Sequence, residues 1–341
     1  MSVRGFRLTD TLSLHRLGSR GMRLDLETAL LGRNTPVWDS FLGRLPLRGR
    51  ANFTYMLEER GSVGGFIQAR SGQSGLDCDL VFIAPSLDGV PDGPDLWEKL
   101  LAHLVREMGE RGVHLLFARV PTWEEEAIEV LREEGFGAYT RRQIFRLDSD
   151  RAPSPSDETG VSWRRRSRRD DWGLRRLYRT VTPRLVQQAE GLERHNRGLM
   201  PMRVWIGGRM REYVAERDGE LIAYLRMLRG PEGHWLRAII HPEAEQDGVV
   251  LLRQMLPTSS EEASRPLYCA AREYELGLKR ALEETGFRSF AEELLMVKHT
   301  TARVGAPEVQ AVAGLEREVE GVTTATRSPE RRDRPREGAV S

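Results

Sequence analysis

His241 stands directly before Pro242 at the end of an apolar stretch, so it reads either as a general base or as a polar turn residue. Cys269 lies within "RPLYCAA" beside Tyr268, where a thiol is a nucleophile if its pKa is lowered and a small core residue if it is buried. Tyr268 and Tyr274 carry phenols that stay protonated at neutral pH and can donate a proton. Glu58 and Glu216 fall on extended segments, as candidate bases or as surface carboxylates. The Arg run 164–169 could bind phosphate or nucleic acid. Alternation along a strand would place Arg164, Arg166 and Arg168 on one face, and Asp170 and Asp171 follow at once. That pairing of charges favours a solvated surface.

Beyond these residues, the chain repeats itself. "LREEGFGAYTRRQIFRL" (131–147) returns as "LEETGFRSFAEELLMVK" (282–298), 151 residues on, and the offset holds ungapped back to 115 and 266. A repeat of this length is a domain duplication, since solenoid units are far shorter. In the first copy, "FTYMLEER" (53–60) and "GGFIQAR" (64–70) read as strands about a Gly-containing turn, and "DLVFIAP" (79–85) reads as a buried strand. "DLWEKLLAHLVREMGERG" (95–112) has helical periodicity, "VHLLFARV" (113–120) is a strand, "WEEEAIEVLREEGF" (123–136) a helix ending at Gly135, and "QIFRL" (143–147) a closing strand. The second copy has the same order: strand 161–166, helix 170–181, a hairpin turning at Asp218-Gly219, strand 234–240, helix 247–256, strand 265–271, helix 273–287 and strand 292–299. The expected domains are 1–147 and 161–303, joined by a polar linker at 148–160 and followed by a disordered tail at 304–341 with a short helix near 307–320. The apolar-rich "HNRGLMPMRVWIGGRM" (195–210) reads as a cleft lining or a packed connection.

The chain has 341 residues, 52 Lys+Arg against 51 Asp+Glu, and a formal net charge of +1, which gives no overall pull toward nucleic acid or anionic lipid. No apolar run approaches the ~20 residues that span a bilayer, and the N-terminus lacks a secretion-signal pattern. Two cysteines, Cys78 and Cys269, exclude a disulfide framework and a Cys-rich zinc site. No P-loop, Ser/His/Asp elbow or metal-spaced cluster is present. A cytoplasmic protein with no nucleic-acid or membrane partner is the expectation, and oligomeric state is not legible.

The element order, closing twice in "EEGF" or "ETGF", resembles the GNAT superfamily of acyl-CoA-dependent N-acyltransferases over 5–147 and 161–299. "AIIHPEAEQDGVVLLRQML" (238–256) is similar to the family's strand, turn and phosphate loop opening a helix. The resemblance implies a mixed α/β fold of two tandem GNAT-like domains, with acetyl-CoA or another acyl-CoA as donor and a small-molecule amine or amino group as acceptor. It also implies a pantetheine arm held between two splayed strands, and a pyrophosphate held by backbone N–H groups. Carried over residue by residue, the cofactor-binding positions are Ile239, Ile240, Gly248, Val249 and Val250, and the catalytic candidates are Tyr268, Tyr274 and Glu216.

The departures from the family pattern are equally readable. Glu245 stands where Gln or Arg is expected, Asp247 adds a second carboxylate, and Val250 replaces a small residue. The first copy's "APSLDGVPDGPDLW" (84–97) carries prolines that lack an N–H. The tyrosine expected four residues before each Gly-Phe is Leu131 or Leu282, and the Asn expected seven residues earlier is Glu124 or Glu275. The resemblance therefore implies weak acyl-CoA binding by the second half and none measurable by the first. The alternative is a catalytically degenerate pair acting as a ligand-binding or interaction module.

Overall fold

The computed structural model describes residues 1–32, 52–59, 61–72, 74–148, 163–190, 210–255 and 265–300. The linker, the 195–209 stretch and the tail lie outside these residues, apart from Asp148.

The first copy runs β1 (Ser2–Gly5), α1 (Thr11–Gly18), β2 (Met22–Arg23), α2 (Leu26–Leu31), β3 (Asn52–Glu59), β4 (Ser62–Ser71), β5 (Asp77–Ala84), α3 (Gly93–Glu110), β6 (Leu115–Pro121), α4 (Glu125–Glu133) and β7 (Gly137–Leu147). The second runs β8 (Trp163–Arg165), α5 (Asp171–Val181), α6 (Arg184–Ala189), β9 (Met210–Arg217), β10 (Glu220–Arg229), β11 (His234–Ile240), α7 (Gly248–Arg253), β12 (Leu267–Arg272), α8 (Leu276–Glu284) and β13 (Arg288–His299). Helices α4 and α8 begin and end at repeat-equivalent positions, and each is followed by a positive-φ glycine, Gly135 (φ 80°) or Gly286 (φ 97°). The β9–β10 hairpin turns at Asp218 (φ 51°) and Gly219 (φ 79°), two left-handed residues as a tight turn of this hand requires.

The strands form one thirteen-stranded sheet, in the order β1-β3-β4-β5-β6-β13-β7-β12-β11-β10-β9-β8, with β2 added against β5. The sequence divides the chain at the linker, but the sheet does not follow that division, because the two closing strands cross over. β13 pairs with β6 of the first copy, and β7 pairs with β12 of the second. The cores follow the strands. Leu294 and Met296 of β13 join the core of α3 and α4, whereas Phe145 and Leu147 of β7 join the core of α7 and α8. Each copy thus finishes the other's core.

β7 and β13 pair antiparallel with each other, Arg142 opposite Glu293. These two residues are repeat mates, so the pseudo-twofold axis of the duplication passes between them. Glu293 is 0% exposed and forms an ion pair with Arg142 Nε. Aromatic pairs obey the same symmetry. Phe117 meets Tyr139 edge-on at 6.2 Å, and their repeat mates Tyr268 and Phe290 meet edge-on at 5.3 Å.

A second duplicated device ties each entry helix to its sheet. Arg4 binds Asp10 (2.7 and 2.9 Å) and Glu58 (2.7 Å), and Arg164 binds Asp170 (2.9 and 2.8 Å) and Glu216 (2.8 Å). Asp170 precedes α5, yet its carboxylate makes no cap bond to that helix and turns back to accept from the Ser167 N–H at 2.7 Å. Its hydrogen bonds from Arg164 hold its carboxyl at about 2, below the usual 3.8. A depressed folded-state pKa adds stability that is present above about pH 4 and is lost as the pH falls toward 2. Acid unfolding of the wild type should therefore steepen in that window relative to Asp170→Asn. Parallel titration curves would contradict the assignment.

Candidate functional site

In both copies two parallel strands start together and then part. β5 and β6 pair at Asp77–Leu115, Cys78–Leu116 and Asp79–Phe117, and β11 and β12 at His234–Leu267, Trp235–Tyr268 and Leu236–Cys269. Beyond these three pairs the two strands no longer bond to each other, leaving a V open toward the strands' carboxyl ends. This is the expected place for a pantetheine arm, and in each copy the chain itself fills it.

In the first copy the filler is main chain. After α1 the segment 20–24 runs into the V and pairs with the free edge of β5, Met22 opposite Ile83 and Arg23 opposite Phe82. The Leu24 N–H donates to Val81 O at 2.9 Å, and the Ser86 N–H donates to Arg20 O at 2.7 Å. Gly21 permits this approach, because a Cβ there would meet the Phe82 ring and lie 2.7 Å from Ile83 O. Gly21→Val should cost about 1–3 kcal/mol of stability and accelerate amide exchange at Leu24. Unchanged exchange there would show that the segment is not held by close packing.

In the second copy the filler is a buried ion pair. Arg237, from the parting stretch of β11, donates to Ala238 O (2.7 Å) on its own strand and to Ala270 O (3.3 Å) on β12, bridging the two strands. It also binds Glu275 through both oxygens, at 2.8 and 2.6 Å. Glu275 is the residue preceding α8; its carboxylate further accepts from the Arg272 N–H at 2.7 Å. Burial pushes the Cys269 thiol up to about 12, so Cys269 is a packed, un-ionised thiol. The Ala238 carbonyl, which would greet a pantetheine amide, therefore already has a partner.

A second buried cluster closes the mouth of this V. Glu190, just after α6, accepts from Arg272 (2.7 Å), from the Tyr178 hydroxyl (2.6 Å) and from the Tyr139 hydroxyl (3.3 Å). Tyr139 arrives on the crossed-over β7, so the first copy contributes to the second copy's mouth. Burial, aided by Glu190, drives the Tyr178 phenol well above its usual pKa.

The catalytic candidates do not converge. Tyr268 is 6% exposed and stacks edge-on against Phe290 at the level where β11 and β12 still pair, below the V. Glu216 lies on β9, two strands from the V, and is held by Arg164. Tyr274 alone adjoins the V, beside Arg272, Glu275 and Arg237, and burial raises its phenol pKa. His241 is a turn residue here: it caps the 3-10 turn Pro242–Asp247, its Nδ1 accepting from the Glu243 N–H at 3.2 Å.

The cofactor positions are occupied by packing. Ile239 is 1% exposed against Tyr178 and Tyr224, and Ile240 is 7% exposed in the core of α7 and α8. Gly248 opens α7, but a Cβ there would lie 3.0 Å from Ala281 Cβ, so this glycine serves the contact of α7 with α8. Val249 packs on the same core, and Val250 accepts from the Gln254 N–H within the helix end. Glu245 lies over Gly277 in the first turn of α8, and Asp247 is paired with Arg217 at 2.7 Å. The residues present do not fit an acyl-CoA in this arrangement.

The fold itself is that of the GNAT N-acetyltransferases, present here twice and joined through exchanged closing strands. The chain superposes on a GCN5-related N-acetyltransferase from Sphaerobacter thermophilus with a TM-score of 0.56 at 11% identity, covering 88% of this chain and 95% of the other. It superposes on a tandem GNAT protein from the clavulanic acid biosynthesis pathway, solved without acetyl-CoA, with a TM-score of 0.51 at 16% identity, covering 88% and 98%. No family model and no curated protein matches the sequence.

Proposed function

We propose that this chain is a catalytically degenerate tandem GNAT protein that acts as a ligand-binding or interaction module. The observation that carries this reading is the Arg237–Glu275 pair, which spans the second V and bonds the carbonyls of both strands. A pantetheine arm would have to break a bidentate, buried ion pair before making its own hydrogen bonds, and the loss would exceed the gain. The first V, closed by the backbone pairing of 20–24, supports the same reading.

One observation favours a second reading, acyl-CoA-dependent N-acyltransfer to a small-molecule amine by the second half. The strands part as the donor requires, and Tyr274 stands beside the parting with a phenol that stays protonated at neutral pH. Isothermal titration with acetyl-CoA separates the two. The module reading predicts no heat of binding at millimolar acetyl-CoA, and saturable binding to the wild type with loss in Tyr274→Phe turnover would establish the transferase.

A further inference from the structure

The outer face of α5 does not belong to the fold's requirements. The duplication places α5 on α1 with Asp170 on Asp10, and the inward positions are kept: Leu14 and Leu174 are 0% and 2% exposed. The outward positions are not kept. Leu12, His15 and Ser19 of the first copy become Trp172, Arg175 and Arg179 in the second. Trp172 is 69% exposed, an unusual place for the largest apolar side chain. With Arg175, Arg176, Arg179 and Thr180 it lines a hollow of about 440 Å³, and it shares an adjoining hollow of about 240 Å³ with Arg169.

The Arg176 guanidinium lies 5.8 Å from the Trp172 ring and pairs with Glu220 at 2.8 Å, which fixes the ring's surroundings. Arg169, Arg175 and Arg179 are exposed and have no carboxylate partner among the described residues. Over residues 163–181 there are eight arginines and two aspartates, in a chain whose net charge is +1. Arg164, Arg166 and Arg176 are paired with Asp170, Asp171, Glu212, Glu216 and Glu220, so the basic charge of this face rests on Arg169, Arg175 and Arg179.

We propose that this face binds single-stranded nucleic acid, a base stacking on Trp172 while Arg169, Arg175 and Arg179 hold flanking phosphates. An exposed aromatic ring among guanidinium groups is what successive bases and phosphates require together, and it needs no sequence-specific donor pattern. A membrane surface fits less well. Trp172 is the one apolar side chain on the outward stripe with Arg175, Arg176 and Arg179, too little to bury a helix face in lipid. The proposal is independent of whether either V accepts acyl-CoA.

The test is fluorescence anisotropy of a labelled oligothymidylate of about 20 nucleotides with the full chain, over a range of salt. Heparin, a polyanion without bases, and phosphatidylserine vesicles are the comparison ligands. Trp172→Ala should weaken oligonucleotide binding about 10-fold or more and leave heparin binding nearly unchanged, and Trp172→Phe should restore most of the loss. Arg175→Glu with Arg179→Glu should weaken both and reduce the salt slope by about 1.4, two phosphates at ~0.7 each. These side chains are exposed, so circular dichroism should report an intact fold in every variant. Absence of oligonucleotide binding, an equal effect of Trp172→Ala on heparin, or binding to vesicles in preference to the oligonucleotide would each overturn the proposal.

Discussion

Glu293→Ala is expected to destabilise the protein by about 3–5 kcal/mol, read as a shift in the guanidinium midpoint. Glu293 is 0% exposed and its partner Arg142 is nearly so, with the Arg142 guanidinium also 5.7 Å from the Trp235 ring. Removing the carboxylate strands a cation at the centre of the sheet, where water does not reach it. The position magnifies the effect. This pair sits where β7 and β13 cross between the copies, so loosening it loosens both cores at once. Replacing both partners, Arg142→Met with Glu293→Leu, should recover much of the loss, since an apolar pair of similar volume removes the stranded charge. A single variant as stable as the wild type would mean that the two strands do not meet at this register.

Arg237→Ala should cost about as much, ~3–5 kcal/mol, for a related reason. Glu275 is a buried side chain that would keep one backbone donor, the Arg272 N–H, and lose its bidentate partner. Ala238 O and Ala270 O would lose a shared donor as well. Arg237→Lys should recover part of the loss only, because an ammonium group cannot reproduce the two-oxygen fork. If Arg237→Ala proved nearly neutral, the guanidinium would be lying in solvent and the second V would be open.

The duplication was legible because its marks are local. Gly135 and Gly286 announce left-handed helix ends, and the helices before them carry their apolar residues at a matching offset. The strand exchange was not legible, since the same alternation of side chains lets β7 and β13 close either core; which one they close is decided by tertiary pairing. One mark of it lies in the sequence. The repeat places Arg142 on Glu293, and opposite charges at mated positions suit a contact made on the symmetry axis.

The site shows the same division. The degenerate phosphate loop was visible in Glu245, Asp247 and Val250, although Asp247 is neutralised by Arg217 rather than left facing the loop. Arg237 interrupts the apolar run "HWLRAII", and a charge inside a buried strand calls for a buried partner; Glu275, standing where the family pattern has Asn, supplies it. The segment 20–24 gave no such sign. "RGMRL" reads as a turn after a helix, and the close approach that makes Gly21 necessary depends on Phe82 and Ile83, some sixty residues away. The phenols misled because sequence proximity to the strand–helix junction does not fix a face. Tyr268 points to the packed side, and Tyr274 to the mouth.

The chain's own groups occupy both clefts where a pantetheine arm would run. Amide hydrogen exchange of the full chain, followed by mass spectrometry with and without millimolar acetyl-CoA, tests it at the residues concerned. Slow exchange is expected at Leu24, whose N–H is bonded to Val81 O, and no change in peptides covering 20–24, 80–86, 237–240 and 269–275 when acetyl-CoA is added. Rapid exchange at Leu24 in the free protein, or protection of the 237–240 and 269–275 peptides by acetyl-CoA, would contradict it.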